Sequence, residues 1–268
     1  MVRVADALGR VVEVPTPPQR IVSLVPSLTE TLFFWGLGQR VVGVTHFCVE
    51  PRDGVRHKAR VGGTKNIDLP KLFALNPDLV IASAEENDRQ QVEAIMAAGV
   101  PVFVTLPRSV EEAVEMLWTL GEVAGAREAA RALVEECRGA LKEVRARRRG
   151  RSVPLFCPIW REPWMTVGPG TYMHDLLEEC GGQNIFGHRQ GRYFAVSLEE
   201  VAARDPALVL LPSEPYRFRR RHIEELAQAG VRAAVEGRAY LVDGRLLCWY
   251  GPRLPQALHE MSRLILGP

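Results

Sequence analysis

Leu69-Pro70-Lys71-Leu72-Phe73-Ala74-Leu75-Asn76-Pro77-Asp78-Leu79-Val80 recurs 129 residues later, Pro77 falling on Pro206, as Leu198-Glu199-Glu200-Val201-Ala202-Ala203-Arg204-Asp205-Pro206-Ala207-Leu208-Val209. Each copy reads as a helix stopped before a proline and followed by a short aliphatic strand buried on both faces. A second echo pairs Leu32, Gly38, Gln39 and Gly43 with Leu176, Gly182, Gln183 and Gly187 at a common offset of 144. The two halves therefore repeat one βα plan, with chance similarity of α/β units as the competing explanation.

Working outward, Ile21 to Val25 is the first core strand, broken by Pro26-Ser27, and Ser27 to Glu30 fits a capping box that opens a helix through Trp35. Val41–Val44, Leu79–Ala82 and Val102–Thr105 are further β-rich runs, separated by helical patterns at Arg89–Ala98 and Val110–Val123. Ahead of them, residues 1 to 20 read as a hairpin about Gly9-Arg10 and a stiff lead-in at Pro15, Pro17 and Pro18. From Glu128 to about Arg148 the chain is a good helix former, long enough to span roughly 30 Å. The alternation then restarts, with strands at Val153–Phe156, Leu208–Leu211 and Tyr240–Val242 and helices at Met173–Glu179 and Ile223–Ala229. The expected fold is α/β: two βα lobes, 1–126 and 150–268, joined by one long connecting helix at 127–149, with a ligand cleft between the lobes.

A chain of 268 residues with 47% hydrophobic content can bury a core in each lobe. Lys+Arg of 34 against Asp+Glu of 32 leaves a formal charge of +2, so no global field draws the protein to nucleic acid, and none is expected as a partner. The basic run Arg145 to Arg151 reads as a solvated helix end. Cys48, Cys137, Cys157, Cys180 and Cys248 form no CxxC pair, which argues against a disulfide framework and a structural metal site, so metal ligands are expected to be none. His46 and Cys48, flanking Phe47, are the nearest approach to a soft ligand pair; a loop histidine beside a buried thiol is the plainer reading. Neither phosphate-loop motif, nor GxSxG, nor HExxH occurs, and no catalytic residue is assigned. The N-terminal residues lack the pattern of a secretory signal, and no run approaches the ~20 apolar residues of a membrane span.

Asp6-Ala7-Leu8-Gly9-Arg10, Arg20-Ile21-Val22-Ser23-Leu24, Pro26-Ser27-Leu28-Thr29-Glu30, Asn76-Pro77-Asp78-Leu79-Val80-Ile81, Cys180-Gly181-Gly182-Gln183-Asn184-Ile185-Phe186 and Val196-Ser197-Leu198-Glu199-Glu200-Val201 together resemble the cluster A (type III, helical-backbone) substrate-binding proteins of ABC importers. Within these, the order and loop lengths look closest to the vitamin B12-binding branch. The resemblance implies a receptor that is not an enzyme, holds no resident cofactor, and carries a corrinoid or another metal chelate to an ABC permease with little hinge motion. It implies a periplasmic or surface-tethered location where a signal precedes Met1, and a cytoplasmic one where Met1 is the native start. It also implies aromatic cleft positions at Phe47, Trp164 and Tyr193, while further aromatic positions of that branch fall here on Thr64 and Ser83. Of two carboxylates that meet the importer's arginines, one carries over at Glu199; the other falls on Pro70, with Asp68 nearest.

The residues add their own evidence. Trp160-Arg161-Glu162-Pro163-Trp164, Tyr193-Phe194, Glu214-Pro215-Tyr216-Arg217-Phe218 and Trp249-Tyr250-Gly251 read as aromatic loops at strand ends, where α/β proteins hold ligands and where flat rings suit a flat ligand. Ordinary packing is the alternative for each ring. The ligand-binding set is accordingly Pro26, Ser27, Phe47, Thr64, Trp160, Trp164, Tyr193, Tyr216, Trp249 and Tyr250, with Glu199 and Asp68 for transporter docking. Arg161, Arg192 and Arg253 keep a ferric siderophore or haem open as ligands, and His46, Cys48, Lys65 and Glu86 keep open a cytosolic metal-handling protein or enzyme on the same scaffold.

Overall fold

The computed structural model describes residues 1–267 of the chain; Pro268, the last residue of the expected second lobe, lies outside the described residues. The described chain forms two compact units. The first comprises residues 1–107, 113–135 and 250–252, the second residues 108–112, 136–249 and 253 onward. The helix Arg127–Arg148, 22 residues long, begins in the first unit and ends in the second.

In the first unit, β1 (Val2–Ala5) and β2 (Val11–Val14) make the antiparallel hairpin. Asp6 explains its turn: Oδ1 accepts from the backbone N–H of Leu8 at 2.9 Å and Arg10 at 3.1 Å, and Gly9 takes φ +73°. A five-stranded parallel sheet follows in the order β5-β4-β3-β6-β7, from β3 (Ile21–Ser23), β4 (Val41–Val44), β5 (Ala59–Arg60), β6 (Leu79–Ser83) and β7 (Val102–Thr105). β6 and β7 are buried on both faces, as continuous aliphatic runs require.

The second unit has a four-stranded parallel sheet, order β11-β8-β13-β14, from β8 (Val153–Phe156), β11 (Gly182–Asn184), β13 (Leu208–Pro212) and β14 (Ala239–Val242). Its order matches β4-β3-β6-β7 strand for strand, so the repeat read from sequence is a repeat of topology. β6 and β13 stand at the offset of 129, and each is preceded by a six-residue helix, Leu69–Ala74 or Leu198–Ala203. Asn76 (φ 44°) and Asp205 (φ 47°) then adopt the left-handed conformation that ends each helix ahead of its proline.

Four local expectations are corrected. The helix Pro26–Phe34 starts at the proline, whose fixed φ suits a first helical position, so Ser27 lies inside the first turn and no side chain caps it. The 144-residue echo slips: Gly38-Gln39 form a 3₁₀ turn before β4, whereas Gly182-Gln183 lie within β11. Arg145 to Arg151 are not simply solvated. Arg145 bridges Glu111 (2.8 Å) and Glu179 (2.5 Å), while Arg148 and Arg151 donate to the terminal carbonyls of Glu178 (2.9 Å) and Leu266 (2.6 Å). Finally, the segments around Trp160 and Tyr193 are not strand-end loops but β9 (Pro158–Trp160), β10 (Met165–Val167) and β12 (Tyr193–Ala195), a small antiparallel sheet in the order β12-β10-β9.

Candidate functional site

In the first unit the segments after β3, β4 and β5 hold ligand-binding candidates, Pro26 and Ser27, Phe47, and Thr64, whereas the loop after β7 holds none. Phe47, after β4, is 59% exposed, and its ring lies 3.4 Å from where a side chain on Gly63 would begin, so a glycine there gives the ring its seat. The neighbours of Phe47 diverge. His46 is exposed, whereas Cys48 is buried and accepts from the hydroxyl of Thr29 at 3.1 Å, with Thr45 Oγ1 at 3.2 Å. Burial pushes the Cys48 thiol up, against those hydrogen bonds, so it stays protonated and inert. Among the described residues no three His, Cys, Asp or Glu side chains gather as metal ligands.

Pro26 and Ser27 are buried after β3, with Ser27 Oγ lacking a hydrogen-bond partner, and Thr64 is half-buried after β5. Tyr250 belongs to this unit although its neighbour Trp249 belongs to the other. Burial, aided by the Glu86 carboxylate, drives the Tyr250 phenol upward against hydrogen bonds with Thr105 and Ser83, leaving a neutral donor among polar strand ends.

The second unit gathers its rings on the antiparallel sheet. Cross-strand pairing sets Met165 opposite Trp160 on one side and opposite Ala195 on the other, and Val167 opposite Tyr193. Paired residues share a face, which sets Trp160, Met165, Val167 and Tyr193 on one side of the sheet, with a shift of register beside Met165 and with Val167 itself buried between the outer rings. Trp160 is 45% and Tyr193 41% exposed there; Tyr216 extends the surface with its ring 5.6 Å from that of Trp160, and Arg192 lies 5.5 Å over Tyr193. Sequence reasoning found both outer rings but missed Met165 and the sheet that aligns them.

Trp164 is turned the other way. It stacks on Phe218 (centroids 5.5 Å apart, planes at 20°), meets His222 edge-on at 6.3 Å, and packs against the core containing Phe156 and Phe186. Trp249 is buried, its Nε1 donating to Glu214 Oε2 at 3.0 Å, with Arg253 over its ring at 5.5 Å. Arg161 is tied to Glu225 at 2.8 Å and to Glu162, and Arg192 donates to the Gly170 carbonyl at 2.9 Å.

His222 is fully buried; Nδ1 accepts the Arg219 backbone N–H at 2.8 Å and Nε2 lies 3.4 Å from Tyr216 Oη. Burial, with the Arg221 and Arg161 charges, lowers its pKa, overcoming the Glu225 carboxylate. The folded state therefore holds fewer protons here than the unfolded chain, and this residue's contribution to stability, full above the ordinary value of about 6.5, is lost as pH falls through the folded value. The parent's melting temperature should fall below about pH 6.5 and His222→Gln should flatten that fall; equal slopes would remove His222 as its source.

The two docking carboxylates differ. Glu199 is exposed in the first turn of helix Leu198–Ala203, its pKa lowered by its backbone N–H and by Ser197. Asp68 caps helix Leu69–Ala74, accepting from Lys71 N at 3.1 Å and pairing with Lys71 Nζ at 2.7 Å, so its charge is already answered. In the repeat, Asp68 matches the capping Ser197, and Pro70 matches Glu199. No helix among the described residues is long and apolar enough to cross a membrane.

Two repeated units of parallel sheet, with the helix Arg127–Arg148 running from one into the other and candidate residues at the strand ends, define a bilobal α/β binding-protein fold. Residues 21–243 match the model of the periplasmic binding protein family, and the chain belongs to it. A vitamin B12-binding protein of Vibrio cholerae serotype O1 is 23% identical over 248 residues, 92% of this chain and 89% of that protein. The crystal structure of a periplasmic vitamin B12 binding protein of Vibrio cholerae is similar with a TM-score of 0.81 and 22% identity, covering 93% of this chain and 97% of that one. A periplasmic heme-binding protein from Roseiflexus sp. RS-1, in apo form, is similar with a TM-score of 0.80 and 23% identity, covering 92% and 97%.

Proposed function

We propose that this protein is the extracytoplasmic solute-binding component of an ABC importer and that its cargo is a planar metal macrocycle, a corrinoid. The observation that carries this reading is the shared face of Trp160, Met165 and Tyr193, extended by Tyr216, an apolar surface broad enough to lie against a ring system. In the first unit Phe47 is an exposed ring in the loop after β4, and the loop that follows β6 offers the polar groups of Glu85 and Glu86. The likeness to vitamin B12-binding proteins supports the same choice. The macrocycle is cargo, bound and released unchanged, and Glu199 is the carboxylate best presented to a permease.

A haem or ferric siderophore is the second reading. Arg217, Arg219, Arg220 and Arg221 are exposed within five residues beside Tyr216, and cations at the start of helix Arg220–Gln228 oppose its dipole, a cost that acidic ligand groups would offset. Calorimetry and visible absorbance with cobalamin, cobinamide, haemin and a ferric hydroxamate test both. Cobalamin and cobinamide should bind at micromolar concentration or below. Binding of haemin or the hydroxamate alone establishes the second reading, and binding of none overturns both.

A further inference from the structure

We infer that Asn87 is the positioning residue of the first unit's strand-end loops, holding in one geometry the surface that the ligand meets; its ligand-binding role rests on the function proposed above. Asn87 is 4% exposed and fully engaged. Its Oδ1 accepts the Ser83 backbone N–H at 2.8 Å, and its Nδ2 donates to the carbonyls of Thr64 at 3.1 Å and Leu24 at 3.4 Å. Its own N–H donates to Ser83 O at 3.0 Å.

One side chain thus ties together the ends of β3, β5 and β6, of which β3 and β6 are neighbours while β4 lies between β5 and β3. Leu24 leads directly into Pro26 and Ser27, Thr64 lies in the loop that seats Phe47 over Gly63, and Ser83 opens the Glu85-Glu86 loop, accepting both their N–H groups on Oγ at 3.2 and 3.3 Å. Only a primary amide offers an acceptor and two donors from one uncharged group, and asparagine does so at this reach. Lys65 Nζ adds a weaker outer tie, donating to Glu85 O at 2.8 Å and Asn87 O at 3.4 Å.

The repeat supplies an internal control. Asn87 stands four residues past the end of β6; four residues past the end of the matching β13 stands Tyr216, part of an aromatic cluster. The shared topology is built without an amide at that position, so the fold plan does not demand one. What Asn87 adds is local: loops already ordered before ligand arrives, which spares the ordering cost on binding.

The test compares the full chain with Asn87→Ala and Asn87→Asp by amide hydrogen exchange, first without ligand. Asn87→Ala should speed exchange about tenfold or more in residues 62–66 and 83–87 while β3 and residues 79–82 of β6 keep the parent's rates. Asn87→Asp retains the acceptor for Ser83 but loses both donors, so it should release 62–66 and spare 83–87. Unchanged loops, or uniform acceleration across the whole first unit, would overturn the positioning role. Titration with cobalamin and haemin follows, and whichever binds the parent should bind Asn87→Ala about tenfold more weakly. A parent that binds neither defeats the ligand reading while the exchange result still decides the role of Asn87; a parent that binds, with Asn87→Ala equal to it, defeats its part in the ligand surface.

Discussion

Replacing Trp164 by alanine is expected to lower the stability of the second unit by about 3 kcal/mol, the low end for removing a tryptophan from a core because the ring is only half-buried. The loss has identifiable parts. The indole stacks on Phe218 at 5.5 Å, and such a pair contributes about 1 kcal/mol beyond area burial. It also covers the buried His222 and closes the core around Phe156 and Phe186, so its removal opens a cavity that rigid neighbouring strands cannot fill. Denaturant unfolding should show a lower midpoint with an unchanged slope, and Trp164→Phe should recover most of the loss. A midpoint equal to the parent's would return Trp164 to the ligand surface where the resemblance places it. Any effect of Trp164→Ala on binding then has to be measured well below the variant's unfolding midpoint, where instability does not imitate lost affinity.

The parallel sheets were legible because their signals are long and mutually consistent. Leu69 to Val80 joins a helix, a left-handed stop at Asn76, a proline and an aliphatic strand in twelve residues, and its copy at 198–209 repeats each physical requirement. The antiparallel sheet was not legible, because β9, β10 and β12 have three residues each, too few for a period of two to show, and Pro158, Pro163 and Gly168 read as loop residues. Its absence from the reading hid the difference between Trp160 and Trp164: four residues apart in one aromatic-rich stretch, one stands on the exposed face and the other joins the core. Polar hubs escape for a related reason. Asn87 looks like any loop asparagine until Leu24 and Thr64, 63 and 23 residues away, are brought to its amide.

Trp160→Ala should weaken binding of the cognate macrocycle by about 2 kcal/mol, roughly thirtyfold, while lowering stability by only about 1 kcal/mol, the scale of its edge-on pair with Tyr216. The contrast with Trp164 follows from placement. Trp160 ends the edge strand β9 with nearly half its surface in solvent, and among the described rings its one edge-on contact is with Tyr216 at 5.6 Å, so the free protein has little to lose. A ligand lying across Met165 towards Tyr193 would cover that surface and gain roughly 25 cal/mol for each Å² of apolar area removed from water. Trp160→Phe should recover part of the affinity by restoring a smaller ring. Phe34, 59% exposed on helix Pro26–Phe34, is the control, since its replacement by alanine removes a comparable exposed ring that no candidate loop carries. Calorimetric titration of the parent and these variants should give the order parent, Phe34→Ala, Trp160→Phe, Trp160→Ala, with the first two equal. Equal affinities for Trp160→Ala and the parent would show that the ligand does not lie on this face.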